Sequence, residues 1–309
     1  MKENERRRAL LPRDLELIKH KNSLFFEKGY GEVLGISDSD YVKMGVKIVS
    51  REEAFHKDVV CILKTPESSE EDLFLEGQTF WGWVHAVQGR SITDFLIERK
   101  MTAIAFEDMF EDGLHSFWRN NEISGTAAVL HSIRFLGKLP MHCKAAVIGR
   151  GNVARGAFRT LSQLGVEVTV YDRKTVHRLR EDIGNYDIVV NAVLWDVFRR
   201  DHLVYKEDLS KMKAGSMIVD ISCDDAMGVE SSHSTTIENP VYVVDGIIHY
   251  AVDHTPAIFF KSATESISSV VSRFVDDIVE EHTNPVLEQA TIIKGGTIID
   301  ERIIRFQKR

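Results

Sequence analysis

Three cysteines in 309 residues, with no CxxC spacing and no paired histidine cluster, exclude a disulfide framework and a zinc ribbon. Cys61, Cys143 and Cys223 are expected to be reduced, buried and inert, as in a cytoplasmic protein, and no metal site is expected. No apolar run approaches the roughly 18 residues of a membrane span. The opening MKENERRRALLP is too charged for a secretory signal. Cations are not in excess either: 39 Lys and Arg stand against 47 Asp and Glu, a formal charge of −8, which argues against nucleic acid or a membrane surface as the main partner. Internal repeats, low-complexity tracts and a flexible linker are also missing. What the chain does have is 43% hydrophobic residues, ample for two cores at this length.

The most informative stretch runs from Lys144 to Lys174. An apolar run, Ala145 to Ile148, feeds Gly149-Arg-Gly151-Asn152-Val153-Ala154, then a helical pattern to Leu164, a Gly165 stop, a second β run from Val166 to Tyr171, and Asp172. This is a βαβ unit with a dinucleotide fingerprint. Gly149 makes the tight turn, Gly151 lets backbone N–H groups approach a pyrophosphate, small Ala154 packs helix on strand, and the helix N-terminus holds the phosphates. Asp172, about 20 residues beyond the glycines, can accept hydrogen bonds from the adenosine ribose, which by itself indicates NAD. Arg173 and Lys174 follow at once, and two cations there would hold a 2′-phosphate.

Elsewhere strands and helices alternate, which predicts parallel sheets flanked by helices. Short strands are expected at Leu24–Phe26, Lys47–Val49, Val59–Leu63, Phe80–Val84 and Thr102–Phe106, with helices at Ser37–Met44 and Ser91–Arg99. Lys64 and His85 then fall beyond the carboxyl ends of strands, where such sheets bind ligands. The cluster Glu5-Arg6-Arg7-Arg8 reads either as a charged cap or as an anion site. A long helix rich in small residues is expected over 122–137, with strands at 187–190 (Asn191 at the tip), 217–220 and 241–244. A helix-rich stretch should reach Lys213, and a long helix should run from Pro256 to about Glu281.

The series Glu5-x-Arg7…Pro12, Lys64-x-Pro66, Val84-His85, Ile104-Ala-Phe-Glu107, the Gly149 fingerprint, Val219-Asp220-x-x-x-Asp224 and Thr255-Pro256-Ala257 resembles the alanine dehydrogenase and saccharopine dehydrogenase superfamily. It spans nearly the whole chain in the right order. Within that superfamily, Trp83-Val-His85, Asn120-Asn-Glu-Ile-Ser-Gly125 and Gly149-Arg-Gly-Asn-Val-Ala-Arg-Gly156 are most similar to the N5-(carboxyethyl)ornithine synthases. Two features depart from the pattern: the strand that usually precedes Glu-x-Arg is absent, and His254 stands where relatives carry Asn.

The resemblance implies an α/β fold of two Rossmann-like domains with the active site in the inter-domain cleft. Residues 1–120 with 265–309 would form the substrate domain, and residues 121–264 the dinucleotide domain. Arg7 and Lys64 would bind the keto-acid carboxylate. His85 and Asp224 would be catalytic, and Gly149, Gly151, Asn152, Val153, Ala154, Asp172, Arg173, Lys174 and Asn191 would bind the cofactor. The implied activity is reductive condensation of pyruvate with the side-chain amine of ornithine, or of lysine, by a homo-oligomer that prefers NADPH and also binds NADH. The alternatives are an alanine dehydrogenase using ammonia, and a non-catalytic dinucleotide-binding protein.

Overall fold

The computed structural model describes every residue except Met1–Glu3 and Asp224. The chain forms two compact units, Met1–Phe117 with Phe260–Arg309, and Trp118–Phe259. Each unit is built on an α/β sheet.

In the first unit the strands Val59–Cys61, Thr79–Gly82 and Thr102–Ala105 run parallel in that spatial order. Their side chains alternate between faces. Phe80 and Ala103 enter one core with Phe74, Leu96 and Ile293, whereas Trp81 and Ile104 enter another with Leu15, Tyr41, Val271 and Phe274. Helix Arg90–Glu98 presents Ile92, Phe95 and Leu96 to the first of these cores. The strand Thr291–Lys294 extends the sheet antiparallel to Thr102–Ala105. A separate parallel pair, Phe25–Glu27 and Lys47–Val49, lies nearer the start of the chain.

The second unit carries six strands in the order Val241–Val244, Ile247–Tyr250, Met217–Asp220, Ile188–Asn191, Lys144–Ile148, Glu167–Tyr171. All neighbours are parallel except the first two. Alternation again divides Ala145 and Val147 from Ala146 and Ile148 between two cores. The helix Trp118–Ser132 lies tightly against the fingerprint helix Asn152–Gln163. A Cβ on Gly125 would sit 2.0 Å from the Val153 carbonyl oxygen, and one on Gly156 would sit 2.0 Å from the Glu122 carbonyl oxygen. Only glycine allows that approach.

Three expectations are corrected. Val241–Val244 is a strand, but it is the antiparallel edge of the sheet; the Asp245-Gly246 turn, both residues at positive φ, returns the chain to Ile247–Tyr250 on the inside. The long helix from Pro256 is three pieces: a 3₁₀ turn Thr255–Phe259, a helix Phe260–Val271 and a helix Val275–Val279. The break is tightened by i→i−3 hydrogen bonds from Arg273 to Val270 and Phe274 to Val271, each 3.1 Å, while the apolar spacing continues across it. The stretch towards Lys213 holds only the 3₁₀ run Lys206–Lys211 after residue 191.

Candidate active site

In the first unit, three neighbouring parallel strands lead into candidate site residues. Lys64 follows Val59–Cys61, His85 follows Thr79–Gly82, and Glu107 follows Thr102–Ala105. The register Cys61↔Trp81↔Ile104 puts all three at the same edge of the sheet.

Arg7 lines a cavity of about 180 Å³ together with Glu5, Lys64, Tyr30, Arg51 and Glu70. Arg7 and Glu5 are both buried, at 4% and 7% exposure. The guanidinium donates from Nε to Glu5 Oε1 at 2.8 Å and from Nη2 to Glu5 Oε2 at 2.5 Å, a bidentate pair. It also lies over the Trp83 ring, 5.3 Å from its centroid. Burial pushes the Glu5 carboxyl up, but Arg7 and then Lys64 outweigh that and hold it below its usual value. One edge of the Arg7 fork is thus spent on Glu5. Among the described residues Nη1 makes no hydrogen bond, and Nη1 together with the second hydrogen of Nη2 suits a second carboxylate.

His85 does not line this cavity; it projects, exposed, from the neighbouring strand end. Its backbone is left-handed, with φ of 50°, a conformation costing a histidine of the order of 1 kcal/mol or more. Glu107 holds it there, accepting from the His85 N–H at 2.5 Å and the Val84 N–H at 3.2 Å. Its Oε1 also lies 4.0 Å from the His85 ring Nδ1. Burial pushes the Glu107 carboxyl up to about 7, against the opposing pull of those N–H groups. A proton-bearing group with a neutral-range pKa therefore sits beside an imidazole. The sequence put Glu107 in a motif without a role; adjacency of two strand ends supplies one.

In the second unit the Gly149 turn has the form a pyrophosphate needs. Gly149 is at φ 112°, and a Cβ there would press on the Ala192 carbonyl oxygen at 3.1 Å. Gly151 caps the 12-residue helix, and apart from its own chain neighbours no atom of the described residues lies within 4 Å of where its Cβ would be, which leaves room for phosphate against the helix N–H groups. Ala154 is buried in the core with Val147 and Val190, fixing helix to sheet. Asn152 accepts from Arg155 at 3.0 Å, and Val153 is half-buried. These residues fit a dinucleotide.

Asp172 closes the next strand, with Arg173 and Lys174 exposed beyond it. Asn191 is fully buried, donating to Asp220 Oδ1 at 2.9 Å and accepting from the Val193 N–H at 3.3 Å, so its amide braces two strand ends. Asp220 is buried too, and burial raises its carboxyl. Asp224 lies outside the described residues. His254 is buried, its Nδ1 2.5 Å from Asp253 Oδ1. Cys143 and Cys223 are buried, whereas Cys61 is half-buried with its thiol pushed up to about 12 by burial. Among the described residues no helix is long and apolar enough to cross a membrane.

Residues 1–116 match the alanine dehydrogenase/PNT N-terminal domain, and residues 173–307 match the alanine dehydrogenase/PNT C-terminal domain. An N(5)-(carboxyethyl)ornithine synthase from Clostridium botulinum is 32% identical over 289 residues, covering 88% of this chain and 90% of that protein. An alanine dehydrogenase from Halomonas elongata is 29% identical over 313 residues, covering 89% and 84%. The solved structure of an L-alanine dehydrogenase superposes with a TM-score of 0.86 over 100% of this chain and 97% of that one, and at 23% identity it shows the shared fold. With domains of both kinds matched and 32% identity held across nearly the full length of a relative, the chain belongs to the alanine dehydrogenase/PNT family of nicotinamide-dinucleotide oxidoreductases.

Proposed function

We propose that the protein condenses pyruvate with the side-chain amine of ornithine, and less readily of lysine, and reduces the product to an N-(1-carboxyethyl) amino acid with NADPH, accepting NADH as well. The observation that carries this reading is the meeting of Arg7 and Lys64 on one cavity, beside the strand end that bears His85. Arg7, through its second guanidinium edge, and Lys64 grip the keto-acid carboxylate. His85 donates one proton to the ketone oxygen and the attacking amine nitrogen gives up another, so that the oxygen leaves as water as the C=N bond forms, and Asp224 shares the proton handling. Arg7 and Lys64 keep the carbonyl carbon in place while His85 returns to its starting protonation state through solvent. Glu107 is a positioning residue: it holds the strained His85 backbone. The Gly149 turn, with Asn191, Asp172, Arg173 and Lys174, would hold the dinucleotide, which when bound would supply the hydride that reduces the C=N bond. The proposal includes a cytoplasmic setting and a homo-oligomer.

The similarity to the C. botulinum protein supports ornithine, while the H. elongata enzyme makes ammonia the competing amine. The test is pyruvate-dependent oxidation of NADPH with ornithine, lysine or ammonia at equal concentrations of free amine. The proposal expects ornithine to be fastest by a wide margin. A faster rate with ammonia would assign the chain to alanine dehydrogenation, and no pyruvate-dependent oxidation with any amine would leave a binding protein.

A further inference from the structure

Asp172 stands where a carboxylate in a dinucleotide fold accepts hydrogen bonds from the two hydroxyls of the adenosine ribose. Such recognition needs both carboxylate oxygens turned to the ligand. Here both are committed. Oδ1 accepts from the Lys174 N–H at 2.9 Å and from the Thr175 N–H and Oγ1–H at 3.1 Å each, so it caps the turn that follows the strand. Oδ2 is covered by the guanidinium of Arg150, whose Nη2 lies 3.1 Å away. Three donors saturate the first oxygen, and a cation occupies the second.

Arg150 is the variable residue between the two glycines of the fingerprint, a position with no assigned role in the turn. It is exposed, with 71% of its side chain open to solvent, so one contact to Asp172 leaves most of its five N–H donors facing outward. Arg173 and Lys174 are exposed on the loop that follows Asp172. The four residues together carry three positive charges and one negative, a local excess of two. That excess matches the charge of a phosphate monoester near neutral pH, and a guanidinium presents the planar fork that binds one. A ribose hydroxyl would find neither an open carboxylate nor any use for the cations.

We infer that Arg150 is the residue that selects a 2′-phosphorylated dinucleotide: it neutralises Asp172 on one side and binds the 2′-phosphate on the other, with Arg173 and Lys174 completing the cradle. This rests on the reading that a nicotinamide dinucleotide binds at the Gly149 turn, and it deepens the cofactor preference proposed above. It does not depend on which amine the enzyme uses.

The test is binding to the full-length protein without pyruvate or amine, followed by quenching of tryptophan fluorescence or by calorimetry. The probes are NADPH, NADH and the fragment pair adenosine 2′,5′-bisphosphate and ADP. Wild type should bind NADPH at least about tenfold tighter than NADH, the scale of one charge-assisted contact. Arg150→Ala should remove most of that ratio, weakening NADPH and the bisphosphate while NADH and ADP stay within about threefold. Asp172→Asn, which keeps an oxygen for the turn but removes the negative charge beside Arg150, should tighten NADPH more than NADH. The inference is overturned if wild type binds NADH as tightly as NADPH, if Arg150→Ala weakens both dinucleotides alike, or if Asp172→Asn abolishes NADH binding. Far-ultraviolet circular dichroism verifies the fold of each variant. Failure of the amine assay with these binding ratios intact would refute the proposed substrate and leave this inference standing.

Discussion

Removing the Arg7 side chain should do two separable things. Arg7→Ala leaves the Glu5 carboxylate buried at 7% exposure without its bidentate partner. Breaking a buried pair by deleting one partner costs about 3–5 kcal/mol, because the remaining charge keeps its desolvation penalty. For a chain of this size that is a fall in melting temperature of the order of 10 °C. Glu5→Gln added to Arg7→Ala removes the stranded charge and should recover at least half of the loss. Arg7→Lys keeps a cation for Glu5 but has no second edge for the substrate. It should therefore melt close to wild type while raising the KM for pyruvate about tenfold, with the KM for the amine nearly unchanged. Thermal denaturation of the four proteins, with initial rates for wild type and Arg7→Lys, decides the matter. Two results would refute the reasoning: equal melting temperatures for Arg7→Ala and the double variant, or equal shifts in both Michaelis constants for Arg7→Lys.

Glu107 makes a prediction about pH. Its carboxyl is pushed up to about 7 in the folded protein from an ordinary value of 4.5. A raised folded-state value means that the folded protein holds the proton more tightly, so this stability is fully present below pH 4.5 and is lost as pH rises towards 7. Glu107→Gln should flatten that fall, by at most about 3 kcal/mol, and urea midpoints at pH 4.5 and 7.5 measure it; an undiminished pH difference in the variant would contradict the assignment. Because Glu107 also holds the His85 backbone, the same variant should lower turnover and shift the pH profile with little change in the KM for pyruvate, whereas an unshifted profile would make its role structural only. Gly156→Ala places a methyl 2.0 Å from the Glu122 carbonyl oxygen; backbone must move, at about 3 kcal/mol or more, and a urea midpoint equal to wild type would show that the two helices are not locked there.

What could be read from the sequence was whatever rests on local chemistry. The Gly149 turn was legible because each of its residues has a job that only its neighbours define, from the positive φ at Gly149 to the helix contact at Ala154. The parallel strands behind Lys64 and His85 were legible from their apolar runs and breaks. The inner strand Ile247–Tyr250 hides in an apolar stretch that begins at residue 241 and is split only by the hairpin turn Asp245-Gly246. The break after Val271 left no trace in periodicity, since Phe274 and Ile278 keep the apolar stripe. In the candidate site, the two clamps were hidden for a different reason. Glu107 reaches His85 only because their strands are neighbours, and Arg150 meets Asp172 only because two loops converge at the sheet edge. The first is a property of strand order, which no single motif encodes, and the second involves the variable position of the fingerprint, to which the motif gives no role.

The most direct test of the proposed reaction is to identify the product. Isotopically labelled pyruvate, ornithine and NADPH are incubated with the full-length protein, and the products are separated and analysed by mass spectrometry, with His85→Ala in parallel. The account predicts that the label appears in N5-(1-carboxyethyl)ornithine, that its amount equals the NADPH consumed, and that His85→Ala makes it at least about 10²-fold more slowly. Label found in alanine when ammonia is present, with none in an ornithine adduct, would contradict it.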